Sequence, residues 1–333
     1  MDKDEARRIF EPPAREALVA FPVEPASLDL VAVAENVTFR VTDARDGKKY
    51  VFRLHRPWYH TLDELISERV WLRALVEVGI SVPAPVPARD GREYVQVAIP
   101  GTGEQRYAGM ITWTEGRLLS EALAETTDAA WGARAFEQLG AITASMHNQS
   151  AAWDVPAGFT RHHLDTDGLM GDRPFWGPFW EHTLLSPAES RLLLETRDRI
   201  RVALERYGRD PKTYSLIHAD MHPRNVLVNG GGLTVIDFDD TGFGWHLYDI
   251  AVALIHHQGT SGYDAVEAAF VQGYRRLRSL SDADLAWLPM FHLMRGMVQI
   301  GWYHQRPELG VSPNFHRMKD DVCAQCATFK PPL

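Results

Sequence analysis

The sequence predicts an α+β protein in two parts. Residues 1–113 form a small, mostly antiparallel β-sheet lobe, and residues 114–333 a larger, mainly α-helical one. Three observations carry this. Apolar and polar residues alternate in short runs before Trp113, and Asp-Gly turn signals join them. After Ser120 the apolar spacing becomes that of helices. One non-helical stretch, residues 215–240, interrupts those helices around an Asn229-Gly230 turn signal.

The elements follow in order. Ile9, Phe10, Ala17 and Leu18 are spaced for a leading helix over residues 1–20. Val37, Phe39 and Val41 alternate with Thr38, Arg40 and Thr42, as in a strand with one buried face. Asp46-Gly47 turns the chain back into a strand at residues 50–54. Thr61 and Glu64 make a capping box, which predicts a helix through Leu65, Trp71 and Leu75 that stops at Gly79. Residues 82–85 are extended, and Asp90-Gly91 turns a second hairpin into residues 94–99. Residues 107–113 add one more strand. Further on, Phe136, Leu139, Ile142 and Met146 form a helical stripe. Residues 151–186 lose periodicity, and Pro, Gly and aromatics crowd into RPFWGPFW, an irregular excursion. Helices return at 187–207, 248–256, 263–278 and 282–300. Two short strands, 226–228 and 233–236, flank Asn229-Gly230.

The 333 residues are 45% hydrophobic and 24% charged, ample for a large core. The net charge of -9, from 35 basic against 44 acidic residues, argues against binding a nucleic-acid backbone. The start, MDKDEARRIF, has no apolar leader segment, and no apolar run reaches bilayer-spanning length. The expectation is a cytoplasmic protein with neither a membrane nor a nucleic-acid partner. Cys323 and Cys326 form a single C-x-x-C, half a zinc site, and read as plain thiols on a terminal helix.

The chemistry concentrates in HADMHPRNVLVNGGGLTVIDFDD, residues 218–240. Asp220 stands in a loop before a short hairpin, Asn225 closes that loop, and Asp237 ends the second strand. A hairpin folds Asp237 back toward Asn225. An amide carbonyl and a carboxylate are hard oxygen ligands, suited to Mg²⁺. Asp220 is left to orient an acceptor hydroxyl and take its proton, as phosphoryl transfer requires.

His218-x-Asp220 with Asn225, followed by Asp237-Phe238-Asp239, resembles the catalytic and metal loops of the aminoglycoside phosphotransferase and choline kinase superfamily. The pattern is also similar to the H-R-D…N and D-F-G loops of protein kinases. The resemblance implies a protein-kinase-like two-lobed fold whose first lobe holds ATP. It further implies Mg²⁺ as cofactor, Asp220 as the catalytic carboxylate, and Asn225 and Asp237 as metal ligands. Glu35-Asn36 stands where the family places its phosphate-covering loop, but without the glycines of protein kinases; Asn36 offers an amide there, or is a plain turn residue. The family's strand lysine is replaced by Arg53, opposite a helical Glu68, and the bland reading of that pair is a simple ion pair. Lys48 and Lys49, in the turn, read as solvated. Residues 110–116, MITWTEG, resemble the linker between lobes, so Trp113 and Glu115 are nucleotide-side candidates. Asp249 and His218 read as braces of the catalytic loop. His222 reads either as an acceptor-site or phosphate contact or as loop packing, and Asp239 as a second metal-side carboxylate or a solvated or structural one. The runs YVFRLHRP and ISVPAPVPARDG look most like the branch with bacterial stress-response kinases (the RdoA/SrkA type) and homoserine-kinase-like enzymes.

The resemblance implies an acceptor hydroxyl, on a small molecule or on a protein Ser/Thr. Phe175, Trp176, Phe179 and Trp180 wall an acceptor site or plug the core, the plug being slightly favoured. His292 and Arg295 line the active cleft or sit at the core edge. An alternative function class is a nucleotide-binding regulator without turnover, motivated by Arg53 and the glycine-poor loop. Asp220, Asn225 and Asp237 together favour the enzyme, because a pure binder has no need of a general base.

Overall fold

Val37–Asp43 (β2) buries every second side chain, the mark of a strand with one face on a core. In this computed structural model, which describes residues 2–332, β2 pairs antiparallel with β1 (Pro25–Val33) on one side and β3 (Lys49–Leu54) on the other. On the other side of β3 runs β6 (Gln105–Thr112), which also pairs with β4 (Pro85–Val86) and β5 (Tyr94–Ala98), all antiparallel. The sequence leaves β1 without bounds because its register shifts twice, between Pro25 and Ser27 and between Leu30 and Ala32, so strict alternation fails.

Helix α1 (Lys3–Leu18) packs Ala6, Phe10 and Ala14 into the same core as Phe39, Phe52 and Leu54. Pro12 and Pro13 lie inside α1, where each removes a backbone donor; burial of the apolar face outweighs that loss. Helix α2 (Leu62–Glu77) starts with the predicted Thr61–Glu64 capping box and ends before Gly79, whose φ is +80°.

Further along come the two-residue strands β7 (Arg117–Leu118) and β8 (His163–Leu164), then β9 (Tyr214–Ile217). β10 (Val226–Asn229) and β11 (Gly232–Val235) form the predicted hairpin. Its two-residue turn is Gly230-Gly231, with φ of +56° and +88°, one position later than Asn229-Gly230 suggests. β12 (Gly242–Trp245) lies between β8, to which it is parallel, and β9, to which it is antiparallel.

The helices of this later region are α3 (Leu119–Glu125), α4 (Ala129–Ala152), α5 (Thr166–Met170), α6 (Pro187–Tyr207), α7 (His246–Leu254), α8 (Tyr263–Arg275), α9 (Asp282–Leu285), α10 (Leu288–His304) and α11 (Phe315–Thr328). The single helix expected over 282–300 is therefore two. Pro289, in the first turn of α10, has no N–H to extend a preceding helix and suits a start. The irregular excursion is confirmed over most of 151–186; α4 extends to Ala152, and β8, α5 and a 3-10 turn at Phe179–Glu181 interrupt the rest. Helices α4 and α8 meet through glycines. A Cβ on Gly140 would stand 2.0 Å from the Phe270 carbonyl oxygen, and one on Gly273 only 1.8 Å from that of Glu137. Cys323 and Cys326 are free thiols on α11.

Two compact units result. One comprises Met1–Arg117, Asp154–Arg161 and Leu227–Ile236; the other comprises Leu118–Trp153, His162–Val226 and Asp237–Leu333. The β10–β11 hairpin thus counts with the sheet unit for most of its length. Val235 N–H donates to the Ser81 carbonyl at 3.1 Å, and the Ser81 and Thr234 hydroxyls are 2.7 Å apart. Among the described residues, no helix is long and apolar enough to cross a membrane.

Candidate active site

The loop that leaves β9 carries His218, Ala219 and Asp220. Ala219 has φ +67°, a left-handed backbone that a side chain disfavours and that surrounding bonds must hold. Asp249, fully buried on α7, supplies them. Its Oδ1 accepts the Ala219 N–H at 2.6 Å, and its Oδ2 accepts the His218 N–H at 3.0 Å. His147 of α4 adds a third donor, Nε2–H, to Oδ2 at 3.1 Å, and its Nδ1 accepts the Tyr274 hydroxyl of α8 at 2.8 Å. Those partners fix the neutral tautomer of His147. Burial holds its pKa well below the usual histidine value. Burial pushes Asp249 up to about 6, against the pull of His218 and the two backbone N–H groups. His147 stacks on His246 with ring centroids 4.2 Å apart. His246 in turn donates Nδ1–H to the Lys212 carbonyl and accepts the Ser215 hydroxyl. The brace role expected for Asp249 is thus visible, and behind it stands a second buried layer.

Asp220 is the most elaborately held side chain of the loop. Arg295 Nη2 donates to its Oδ1 at 2.6 Å. Asn225 Nδ2 donates to its Oδ2 at 2.8 Å and to its backbone carbonyl at 2.9 Å. His222 Nε2 lies 3.3 Å from Oδ2, while His222 Nδ1 accepts the Arg224 N–H, so the ring presents Nε2–H to the carboxylate. Burial opposes ionisation of Asp220, but the His222 N–H and the Arg295 guanidinium outweigh it and hold the carboxyl below its usual range. Because Asn225 spends its Nδ2 on Asp220, its carbonyl Oδ1 is the atom suited to a hard cation. Asp237 follows β11 with φ +65°. A non-glycine residue held there is the kind of local strain that gathers at functional sites.

Arg295 corrects the core-edge reading. The residue is buried, but its guanidinium reaches Asp220. Its centre lies 5.8 Å from the Trp176 ring, and Nη1 donates to the Tyr248 hydroxyl at 3.4 Å. Trp176 and Tyr248 lie nearly parallel, 14° apart. Trp176 and Phe179 are buried, so the favoured reading of the aromatic run as a plug holds for these two, and the plug supports Arg295. His292, one turn away, bonds the Tyr263 hydroxyl at 2.9 Å.

In the sheet unit, Asn36 Oδ1 accepts the Arg56 N–H at 2.9 Å, and Glu35 pairs with the Arg56 guanidinium. That is a loop-fixing use of the Asn36 side-chain carbonyl. Arg53 on β3 stands opposite Gly109 of β6, and Gly109 stands opposite Tyr94 of β5. Glu68 is buried on α2 beside Arg69, with the nearest charged atoms 3.9 Å apart. Burial pushes the Tyr94 phenol up, Arg69 and Arg53 counter it, and Glu68 reinforces it, so all three charges gather around that ring. Arg69 also lies over the Tyr94 ring at 5.0 Å. Glu115 is bonded at 2.6 Å by Lys49 in an exposed pair, consistent with the solvated reading of that lysine; Lys48 likewise pairs with Asp46 at 2.7 Å on the surface. Trp113 N–H donates to the Lys49 carbonyl, and Arg40 lies 5.8 Å from the Trp113 ring.

The model of one family, described as the APH phosphotransferase enzyme family, matches residues 30–282. The chain belongs to that family. Among curated relatives of this APH chain is the amicoumacin kinase of Bacillus subtilis, 26% identical over 305 residues, covering 88% of this chain and 84% of that protein. Another is the homoserine kinase of Rhizobium johnstonii, 29% identical over 275 residues, covering 79% and 74%. Among solved structures, a microcompartment-associated aminopropanol kinase is 34% identical, with TM-score 0.78 over 94% of this chain and 93% of the other. Amicoumacin kinase hAmiN, in complex with AMP-PNP, Ca²⁺ and Ami, gives TM-score 0.79 at 24% identity, covering 99% and 97%. The fold is that of the kinase-like phosphotransferases.

Sequence reasoning on this APH chain missed His147, Tyr274 and Arg69, and weighed Arg295 without assigning it. His147 and Tyr274 occupy buried helix positions that a periodicity argument assigns to packing. Arg69 directly follows Glu68, and only the structure shows which of the two neighbours faces which partner.

Proposed function

We propose that this protein is an ATP- and Mg²⁺-dependent kinase that phosphorylates a hydroxyl of a small amino alcohol or a related amine-bearing metabolite. The observation that carries the reading is Asp220: ionised, partly accessible, and held by three side-chain donors on a loop whose backbone Asp249 fixes. The relatives named for amicoumacin, homoserine and aminopropanol support a small-molecule acceptor over a protein one.

In this reading Asp220 accepts a hydrogen bond from the acceptor hydroxyl and orients its oxygen toward the γ-phosphorus of ATP. The new O–P bond forms as the bond to the ADP oxygen breaks, and the hydroxyl proton passes to Asp220. A carboxylate with a depressed pKa is a weak base, so its main contribution is alignment. Asn225 Oδ1 and the Asp237 carboxylate form an oxygen-only donor set that fits Mg²⁺. Bound there, Mg²⁺ supplies charge neutralisation of the phosphates. Arg53 and Glu68 are the proposed phosphate-side residues, with Asn36, Trp113 and Glu115 as further nucleotide-side candidates; Asn36 acts through the loop it fixes.

An ADP-release screen over amino alcohols, hydroxy amino acids, sugars and a Ser/Thr protein substrate tests the assignment. Mg²⁺-dependent turnover on an amino alcohol, absent in Asp220→Asn, is the expected result. Turnover on none of them, or equal turnover in Asp220→Asn, overturns it.

A further inference from the structure

We propose that Arg295 is a positioning residue for the Asp220 carboxylate, and that Trp176, in the aromatic excursion, serves to hold Arg295 in place. The inference rests on the reading of Asp220 as the hydroxyl-orienting group.

The bonds to Asp220 are unequal. Oδ1 receives one donor, Arg295 Nη2 at 2.6 Å. Oδ2 receives Asn225 Nδ2 at 2.8 Å and faces His222 Nε2 at 3.3 Å. A carboxylate with donors on both oxygens cannot flip without breaking them all, so the two oxygens keep distinct roles. Each oxygen offers about two acceptor directions. Oδ2 has both in use, and Oδ1 keeps one. The acceptor hydroxyl therefore meets Oδ1, on the oxygen that Arg295 aims.

The shape of Arg295 matters as much as its charge. One nitrogen of the fork bonds Asp220, the other the Tyr248 hydroxyl, and the guanidinium lies beside the Trp176 ring. A lysine offers a point charge with no fork and no flat face, so it cannot reproduce this cradle. Burying an arginine is unfavourable unless a counter-charge compensates it, and Asp220 is that counter-charge. The arrangement departs from a surface ion pair on each count: Arg295 is only 8% exposed, its geometry is fixed from two further sides, and its partner is the reactive carboxylate. It also gives the Pro- and aromatic-rich run a task beyond filling space. Trp176 comes from a segment with little regular structure, and it is 2% exposed beside Arg295.

The test compares Arg295→Met, Arg295→Lys, Trp176→Leu, Asp220→Asn and the Arg295→Met/Asp220→Asn double variant in the full-length protein. Turnover number, both KM values and thermal midpoints are read. Arg295→Met is expected to lower kcat by about 100-fold, the effect of misaligning a reacting group by about 1 Å, with KM for ATP within about twofold of wild type. Arg295→Lys should recover only a minor part of that loss. Trp176→Leu should lower kcat in the same direction by a smaller factor. Asp220→Asn should lower the thermal midpoint, because it strands the buried charge, and adding Arg295→Met should raise it again. The proposal is overturned if Arg295→Met keeps half of the wild-type kcat, or if its whole effect falls on KM for the acceptor. Thermal shifts that simply add in the double variant also overturn it. Because the stability cycle does not depend on turnover, a failure of the kinase reading itself is separable: wild type would then turn over no acceptor, whatever the midpoints show.

Discussion

His147 Nε2 donates to the Asp249 carboxylate at 3.1 Å, and neither side chain is exposed to solvent. The same carboxylate takes the backbone N–H groups of His218 and Ala219, so all three of these contacts are donors. Asp249→Asn puts an N–H₂ group where an acceptor is needed. It should destabilise the fold by about 3 kcal/mol, the scale for breaking a buried charged network. Turnover should fall by at least about tenfold, since Ala219 is no longer held in its left-handed conformation. His147→Ala keeps the acceptor and should do about half the damage. Urea unfolding and initial rates check both; wild-type stability in Asp249→Asn would remove the brace from the account.

Acid should weaken the fold through its buried histidines. Burial lowers His292 to about 4, and lowers His147 and His246 as well. The folded state keeps them neutral, whereas the unfolded chain takes up protons near pH 6.5. Their stabilisation is therefore complete above that pH and drains away as pH falls toward 4. For His292 a shift of this size is worth roughly 3 kcal/mol. Asp249 acts in the opposite sense. Its carboxyl is raised to about 6, so its contribution is full below the unfolded value near 3.8 and is lost as pH rises through 6. Three buried histidines against one carboxyl leave a net loss on the acid side. Thermal midpoints should drop between pH 6.5 and pH 5, and His292→Phe should flatten that slope. A midpoint that is constant or rising toward pH 5 contradicts this.

Asp237 stands at φ +65°, where asparagine is tolerated best after glycine. Asp237→Asn should therefore keep the loop and the melting temperature, while lowering Mg²⁺-dependent turnover by about 1,000-fold or more, as expected for a group that acts as part of a unit. Asp237→Ala should show the same activity loss plus about 1 kcal/mol of strain. Metal titration separates the cases, because a true ligand loss raises the Mg²⁺ concentration needed for half activity. Wild-type turnover at ordinary Mg²⁺ in Asp237→Asn would remove it from the metal set.

The geometry of the candidate site is legible in the sequence where its contacts are local. Asp220 and Asn225 are five residues apart, and the hairpin signal at Asn229-Gly230 was off by a single position. Arg295 was not readable in the same way. It lies 75 residues from Asp220 on a helix whose neighbours are nearly all apolar, and an arginine there looks like an edge of the core. The sheet shows a similar limit. β2 and β3 alternate cleanly, but β1 carries two register shifts, and β8, β9 and β12 pair across long gaps with two to four residues each. Strands that short have no period to detect. The surface pair of Lys49 with Glu115, 66 residues apart, is likewise invisible to a local reading.

Gly109 offers a test of the nucleotide-side cluster. It stands between Arg53 and Tyr94 in the sheet, and an added Cβ would approach the Tyr94 ring to 2.4 Å and Arg69 Nη2 to 3.0 Å. The φ of Gly109 needs no glycine, so any effect of Gly109→Ala comes from crowding. The ring must move, and with it the Tyr94 hydroxyl bond to the Leu65 carbonyl on α2. Overpacking of this kind costs about 1–3 kcal/mol. If Arg53 and Glu68 handle phosphate, the shift should raise KM for ATP several-fold and leave KM for the acceptor unchanged. Tyr94→Leu in the same chain makes room for the methyl group and should restore part of both losses. A Gly109→Ala protein with lowered stability but an unchanged KM for ATP would separate the Tyr94 cluster from nucleotide binding and leave Arg53 as a structural residue.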